Sequence, residues 1–265
     1  MTTNARSRNA QQRISRVLDM TQEPHEALSI ISDYLETPLV PLDIAVETLA
    51  AFLPNIESHA TMAREQCRDP PADGLTIEES TSIRLYSMED GFQGTPLYVV
   101  LNGLLRSRDR SNLEPWLLYL KLFHTALSRL PSIRQVVYRG VKADVSKEYQ
   151  MGKTIKWWSF SSCTTSINVL QGEEFYGRTG PRTMFVISCV SGKDIHNHSY
   201  FPAEDEILLL PEIQFNVVGC LDQGNGLHMI QLQEIKPPSS PPQPLLVPDL
   251  NKSFSSKKKK LKKLI

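Results

Sequence analysis

Residues 112–140, NLEPWLLYLKLFHTALSRLPSIRQVVYRG, contain the change of period on which the fold turns. Before Pro131 the apolar residues Leu113, Leu117, Leu120, Phe123, Leu127 and Leu130 recur every three or four positions, which gathers them on one face of a helix. Asn112 is placed to cap this helix and Pro131 to stop it. After the proline, residues 135–139 are rich in valine and tyrosine and read as a strand.

Upstream the helical pattern continues. Pro24 and Pro41 open two shorter patterns that end near Glu36 and Phe52, and Thr95 with Pro96 opens another through Arg106. The stretch DPPADG, residues 69–74, breaks the composition and reads as a linker. Downstream, five more strand-like runs follow, at residues 154–163, 183–190, 206–210, 213–218 and 227–235, separated by Gly, Asn, Asp and Pro. They do not alternate regularly with helices, and the loops GxGxxG and GxxxxGK[ST] are missing, so a doubly wound nucleotide fold is disfavoured. The expectation is an α+β fold, with N-terminal helices packed on mainly antiparallel sheets.

With 265 residues, 40% of them hydrophobic, the chain is large enough for a substantial core. Its zero net charge hides an asymmetry: residues 251–265 carry seven of the 29 basic residues and no acid, leaving 22 against 29 acids before them. That tail, with the proline-rich run ahead of it, is too charged and proline-rich to pack a core. The division expected is a helical segment over 1–74, a catalytic domain over 75–236 and a disordered tail over 237–265. No apolar run is long enough to span a bilayer, the start lacks the apolar core of a secretory signal, and four scattered cysteines suggest reduced thiols. An intracellular location, cytoplasmic or nuclear, is the expectation.

Three stretches could carry chemistry. In VVYRG, Arg139 ends a strand where its planar fork can meet a phosphate or carboxylate, and Gly140 allows close approach to the main chain. In WWSFSSCTT, an aromatic strand ends in the hydroxyls of Ser161, Ser162, Thr164 and Thr165, which can cap a helix or orient a sugar or carboxylate. In FPAEDEILLLP, Glu204 and Glu206 share a face if the segment is extended, with Asp205 turned away. One carboxylate can stabilise a sugar cation while its neighbour takes a proton from a nucleophile.

An arginine in YRG, a serine in FxSxT and an ExE before an apolar strand, about twenty and then about forty residues apart, together resemble the R-S-E signature of arginine-specific mono-ADP-ribosyltransferases. The resemblance extends upstream through IRLYSMEDG and LYVVLNGLLR and covers roughly residues 75–235. It implies two small sheets around an NAD-binding cleft and transfer of ADP-ribose from NAD, or NADP, to a target protein's arginine. It further implies that Arg139 grips a phosphate, Gly140 meets the nicotinamide amide, and Ser162 holds the ribose and positions the acid. Glu206 is then the catalytic glutamate, Glu204 orients the acceptor guanidinium, and Phe175 packs on nicotinamide. Residues 194–203, with Tyr200 and Phe201, correspond to the substrate-recognition loop.

The usual serine-threonine-serine is Ser162-Cys163-Thr164 here, and Ser161 is the alternative one position earlier. NAD is the co-substrate expected and no metal is required; His196 and His198, spaced as a strand pair, lack a third ligand. NAD glycohydrolysis and a silent interaction module of the same fold are the competing readings. The lysine cluster suits an anionic surface or an import signal, and without interleaved aromatics it gives no sign of specific nucleic-acid recognition.

Overall fold

In the computed structural model the residues described are 24, 28, 32–89, 95–168, 170 and 179–236. Among the described residues five α-helices precede the strands: α1 (Leu42–Glu47), α2 (Ile56–Glu65), α3 (Ile77–Ser87), α4 (Leu97–Arg106) and α5 (Leu117–Arg129). In α5 the expected stripe is buried at Leu120, Phe123 and Leu127, with Leu113 and Leu130 buried beside it and Leu117 half-buried. Asn112 is not its cap. It lies inside a 3-10 segment, Ser111–Trp116, that leads into α5, and Asp109 fastens the start of that segment by accepting from Ser111 N at 3.0 Å. Pro115, which has no N–H to donate, sits in this lead-in turn, so regular α-geometry begins only at Leu117.

α3 has no counterpart in the periodic reading because polar residues interrupt its buried apolar ones: Glu79, Ser80, Thr81, Ser82 and Ser87 are buried along with Ile83, Leu85 and Tyr86. A capping box starts it, with Thr76 Oγ1 accepting from Glu79 N at 3.2 Å and the Glu79 carboxylate accepting from Thr76 N at 2.8 Å. The carboxylate also accepts from Arg129 Nη1 at 2.9 Å, so this buried charge is paired. The pattern opened by Pro41 ends its helix at Glu47 and continues in turns; the one opened by Pro24 falls mostly outside the described residues, and a 3-10 turn, Asp33–Leu35, lies at its end.

The DPPADG stretch is docked rather than a free linker. Asp73 Oδ2 accepts from Asn197 and pairs with His198, and Gly74 O accepts from Arg129 Nη2 at 2.8 Å. Residues on both sides of position 74, among them Leu42, Val46, Ile83 and Phe123, share one core.

The strands are β1 (Ser132–Val141), β2 (Thr154–Trp157), β3 (Ser161–Thr164), β4 (Arg182–Asp194), β5 (Glu206–Leu209), β6 (Ile213–Gly224) and β7 (Leu227–Glu234). Their order is β1-β3-β5-β4-β7-β6-β2, with a further β1–β4 pairing, so two groups of strands join through β4 in one hydrogen-bonded network. Pairing is antiparallel except between β4 and β7. The run expected as one strand over 154–163 is two strands, because its consecutive aromatics serve different cores. Trp157 packs edge-on against Phe185 and Phe215 inside the sheet, and Phe160 belongs to the helical core against Phe123.

The chain divides into two units, Met1–Ile235 and Lys236–Ile265. The tail expected to be disordered lies outside the described residues.

Candidate active site

Glu206 opens β5 and is buried, with 1% of the residue exposed. β3 runs antiparallel to β5 with Ser162 opposite Leu208 and Thr164 opposite Glu206. Side chains two apart on a strand share a face, as do residues directly opposite, so Ser162, Leu208 and Glu206 all face the helical core that contains Leu208. Ser162 Oγ donates to Glu206 Oε1 at 2.7 Å. Ser161, one position earlier, is buried and donates to the Ser159 carbonyl at 3.5 Å.

Arg139, in β1 and 5% exposed, donates from Nη1 to the Ser162 carbonyl at 2.6 Å. Arg139, Ser162 and Glu206 line one pocket, walled on the helical side by Tyr86, Tyr98 and Asn102, with Asn102 Nδ2 donating to Tyr86 Oη at 3.2 Å. The pocket is partly open, and its free space of about 10 Å³ has room for about one water. A nicotinamide ring entering here must displace these side chains.

Glu204 closes a 3-10 turn, Pro202–Glu204, and Asp205 takes a left-handed backbone with φ 46 before β5 begins. The segment is therefore not extended, and strand alternation is not what aligns the acids. The turn instead buries Glu204 and Glu206 and leaves Asp205 exposed, and Thr164 Oγ1 fastens it by donating to the Glu204 carbonyl at 2.9 Å. Glu204 does not line the pocket. Gly140 is buried in β1 opposite Met184, Tyr200 and Phe201 meet edge-to-face at 5.0 Å, and Phe175 lies outside the described residues.

Cys163, between the two hydroxyls of the motif, is pushed up to about 12. Burial is the main cause, Arg139 opposes it, and Cys189 and Glu206 add to it. The thiol stays protonated, which removes it as a nucleophile.

His196 and His198 sit on a turn rather than a strand, and they do not converge. Both ring nitrogens of His198 are engaged, Nδ1 with Ser80 Oγ at 2.8 Å and Nε2 with Asp73 Oδ2 at 3.1 Å, while His196 Nδ1 lies 3.6 Å from Asp194. Burial lowers the His198 pKa, Asp73 partly opposing it, so the ring is neutral near neutral pH.

Ser199 has no counterpart in the sequence reading. Its hydroxyl donates to Glu206 Oε2 at 3.2 Å, opposite Ser162, and a single serine in a loop carries no periodic signal that could have marked it.

A family model described as NAD:arginine ADP-ribosyltransferase matches residues 47–240. The GPI-linked NAD(P)(+)--arginine ADP-ribosyltransferase 1 of Oryctolagus cuniculus is 27% identical over 186 residues, covering 64% of this chain and 52% of the relative. Four curated relatives match, and the chain spans between 13% and 52% of their lengths. The solved ADP-ribosyltransferase HopU1 of Pseudomonas syringae superposes with a TM-score of 0.53 at 21% identity, over 89% of this chain and 98% of that one. The Vis toxin of Vibrio splendidus, solved in complex with agmatine, gives 0.50 at 18% identity, over 77% and 91%. At these identities the two structures establish the α+β fold.

Proposed function

This chain belongs to the NAD:arginine ADP-ribosyltransferase family, and we propose that it moves ADP-ribose from NAD, or NADP, to arginine side chains of a target protein. The reading is carried by one observation: a 2.7 Å hydrogen bond from the half-buried Ser162 to the buried Glu206 in a pocket that Arg139 also lines.

In the reaction the bond between nicotinamide and ribose C1′ breaks, and its electron pair leaves with nicotinamide. A guanidinium nitrogen of the acceptor bonds to C1′ and gives up a proton. Glu206, a carboxylate fixed by hydroxyl donors in a dry setting, stabilises the ribose cation with little reorganisation. Arg139 offers its fork to a phosphate, Gly140 its main chain to the nicotinamide amide, and Glu204 accepts the acceptor's proton, since a protonated guanidinium is a poor nucleophile.

Hydrolysis of NAD, with water as acceptor, is the second reading, favoured by the absence of Glu204 from the pocket lining. Agmatine and NAD separate the two. Transfer predicts an ADP-ribosyl-agmatine adduct by mass spectrometry, lost in Glu204→Gln while nicotinamide release persists. Nicotinamide release with no adduct from the unaltered protein contradicts transfer. Equal loss of both products in Glu204→Gln removes the acceptor role from Glu204.

The four cysteines are unpaired thiols, which supports an intracellular setting, and the lysine tail is suited to an anionic surface.

A further inference from the structure

We propose that Ser199 positions the Glu206 carboxylate and that His198 is the pin that keeps Ser199 in place, an inference that rests on Glu206 being the catalytic acid. The terminal torsion of a glutamate is soft, so its own geometry does not fix the plane of the carboxylate. Here the plane is set from two sides: Oε1 accepts from Ser162 on β3, and Oε2 from Ser199 on the turn that follows β4. Loss of the Ser199 hydroxyl releases the Oε2 side of this arrangement.

The turn has little regular backbone pairing to hold it. Ser199 N and His198 N both donate to the Ile195 carbonyl, and Phe201 N donates back to Ser199 Oγ at 3.1 Å. Side chains do the fastening. Asn197 donates to Asp73, Tyr200 N donates to Ser87 Oγ at 2.7 Å, and the His198 ring, 0% exposed, lies between Ser80 and Asp73. The neutral ring satisfies this chain in one sense: Cys67 Sγ donates to Ser80 Oγ at 3.1 Å, Ser80 to Nδ1, and Nε2–H to the Asp73 carboxylate. The hydroxyl on the catalytic acid is thereby tied to α3 and to the segment before it.

Steady-state nicotinamide release tests the inference. Ser199→Ala should lower kcat about tenfold with KM for NAD within about twofold, the loss of one hydrogen bond to a charged group. Ser199→Thr, which keeps the hydroxyl, should recover most of that loss. His198→Gln should also lower kcat, and the double variant should be no worse than the poorer single, because both changes act through one contact. An unchanged kcat in Ser199→Ala, no rescue by Ser199→Thr, or additive losses in the double overturns the inference; if His198→Gln fails to fold, the two Ser199 variants decide it. A silent Ser199→Ala beside an inactive Glu206→Gln sinks the positioning role alone. Full turnover in Glu206→Gln sinks the parent reading.

Discussion

The hydroxyls of Ser162 and Ser199 reach Glu206 from supports that are built differently. Ser162 reaches it through the register of the β3–β5 ladder, with main-chain pairing on every side and Arg139 on the Ser162 carbonyl. Ser199 reaches it from a turn held by side chains of α3 and Asp73, more than a hundred residues earlier in the chain. A ladder fixes a side chain with backbone geometry that many sequences can supply. A side-chain tether depends on each partner being present.

Four substitutions or conditions sharpen the contrast. On the ladder side, Trp157→Ala should be the most damaging. Its ring is fully buried between Phe185 and Phe215 and donates to Tyr149 Oη at 2.9 Å. The cost should be about 3–5 kcal/mol in denaturant unfolding, and a loss below about 1 kcal/mol would mean the two strand groups are held elsewhere.

Ser162→Ala comes next, at about a hundredfold in kcat, more than Ser199→Ala because its hydrogen bond is shorter. If Ser199→Ala proved the worse of the two, the ranking of ladder over tether would be reversed.

On the tether side, Asp73→Ala removes the acceptor of both Asn197 and His198. It should cost about 1–3 kcal/mol and lower kcat without reaching the Ser162→Ala loss. No change in either measurement would show that the turn stands without its pin.

Acidification is the mildest. The folded-state pKa of His198 lies below its unfolded value, because burial penalises the charged ring. The unfolded chain therefore takes up the proton first, and stability present above about pH 6.5 is lost as the pH falls toward the folded pKa. His124 is shifted the same way, by burial and by Lys121 and Lys193. Tm should fall between about pH 7 and about pH 5, by less in His198→Gln, and an identical fall in that variant would assign the effect to His124.

What the sequence discloses follows the same division. α5 is legible because one of its faces meets solvent and the other the core, which writes a stripe into the chain. α3 is not, since its buried Ser80 and Glu79 meet partners far away, His198 and Arg129, and only the Thr76–Glu79 capping box marks its start. The aromatic run of residues 157–160 conceals a strand break because adjacent rings enter different cores. Arg139, Ser162 and Glu206 stand out as a motif, each with a fixed neighbour. Ser199 and His198 do not, since their significance lies wholly in contacts across the fold.

The most direct measurement is nicotinamide release from NAD by Glu206→Gln beside the unaltered protein, with circular dichroism to establish that both are folded. Replacement of the charge by a neutral amide of the same shape should lower kcat by about a thousandfold or more. Turnover within about twofold of the unaltered protein would place the chemistry at some other group.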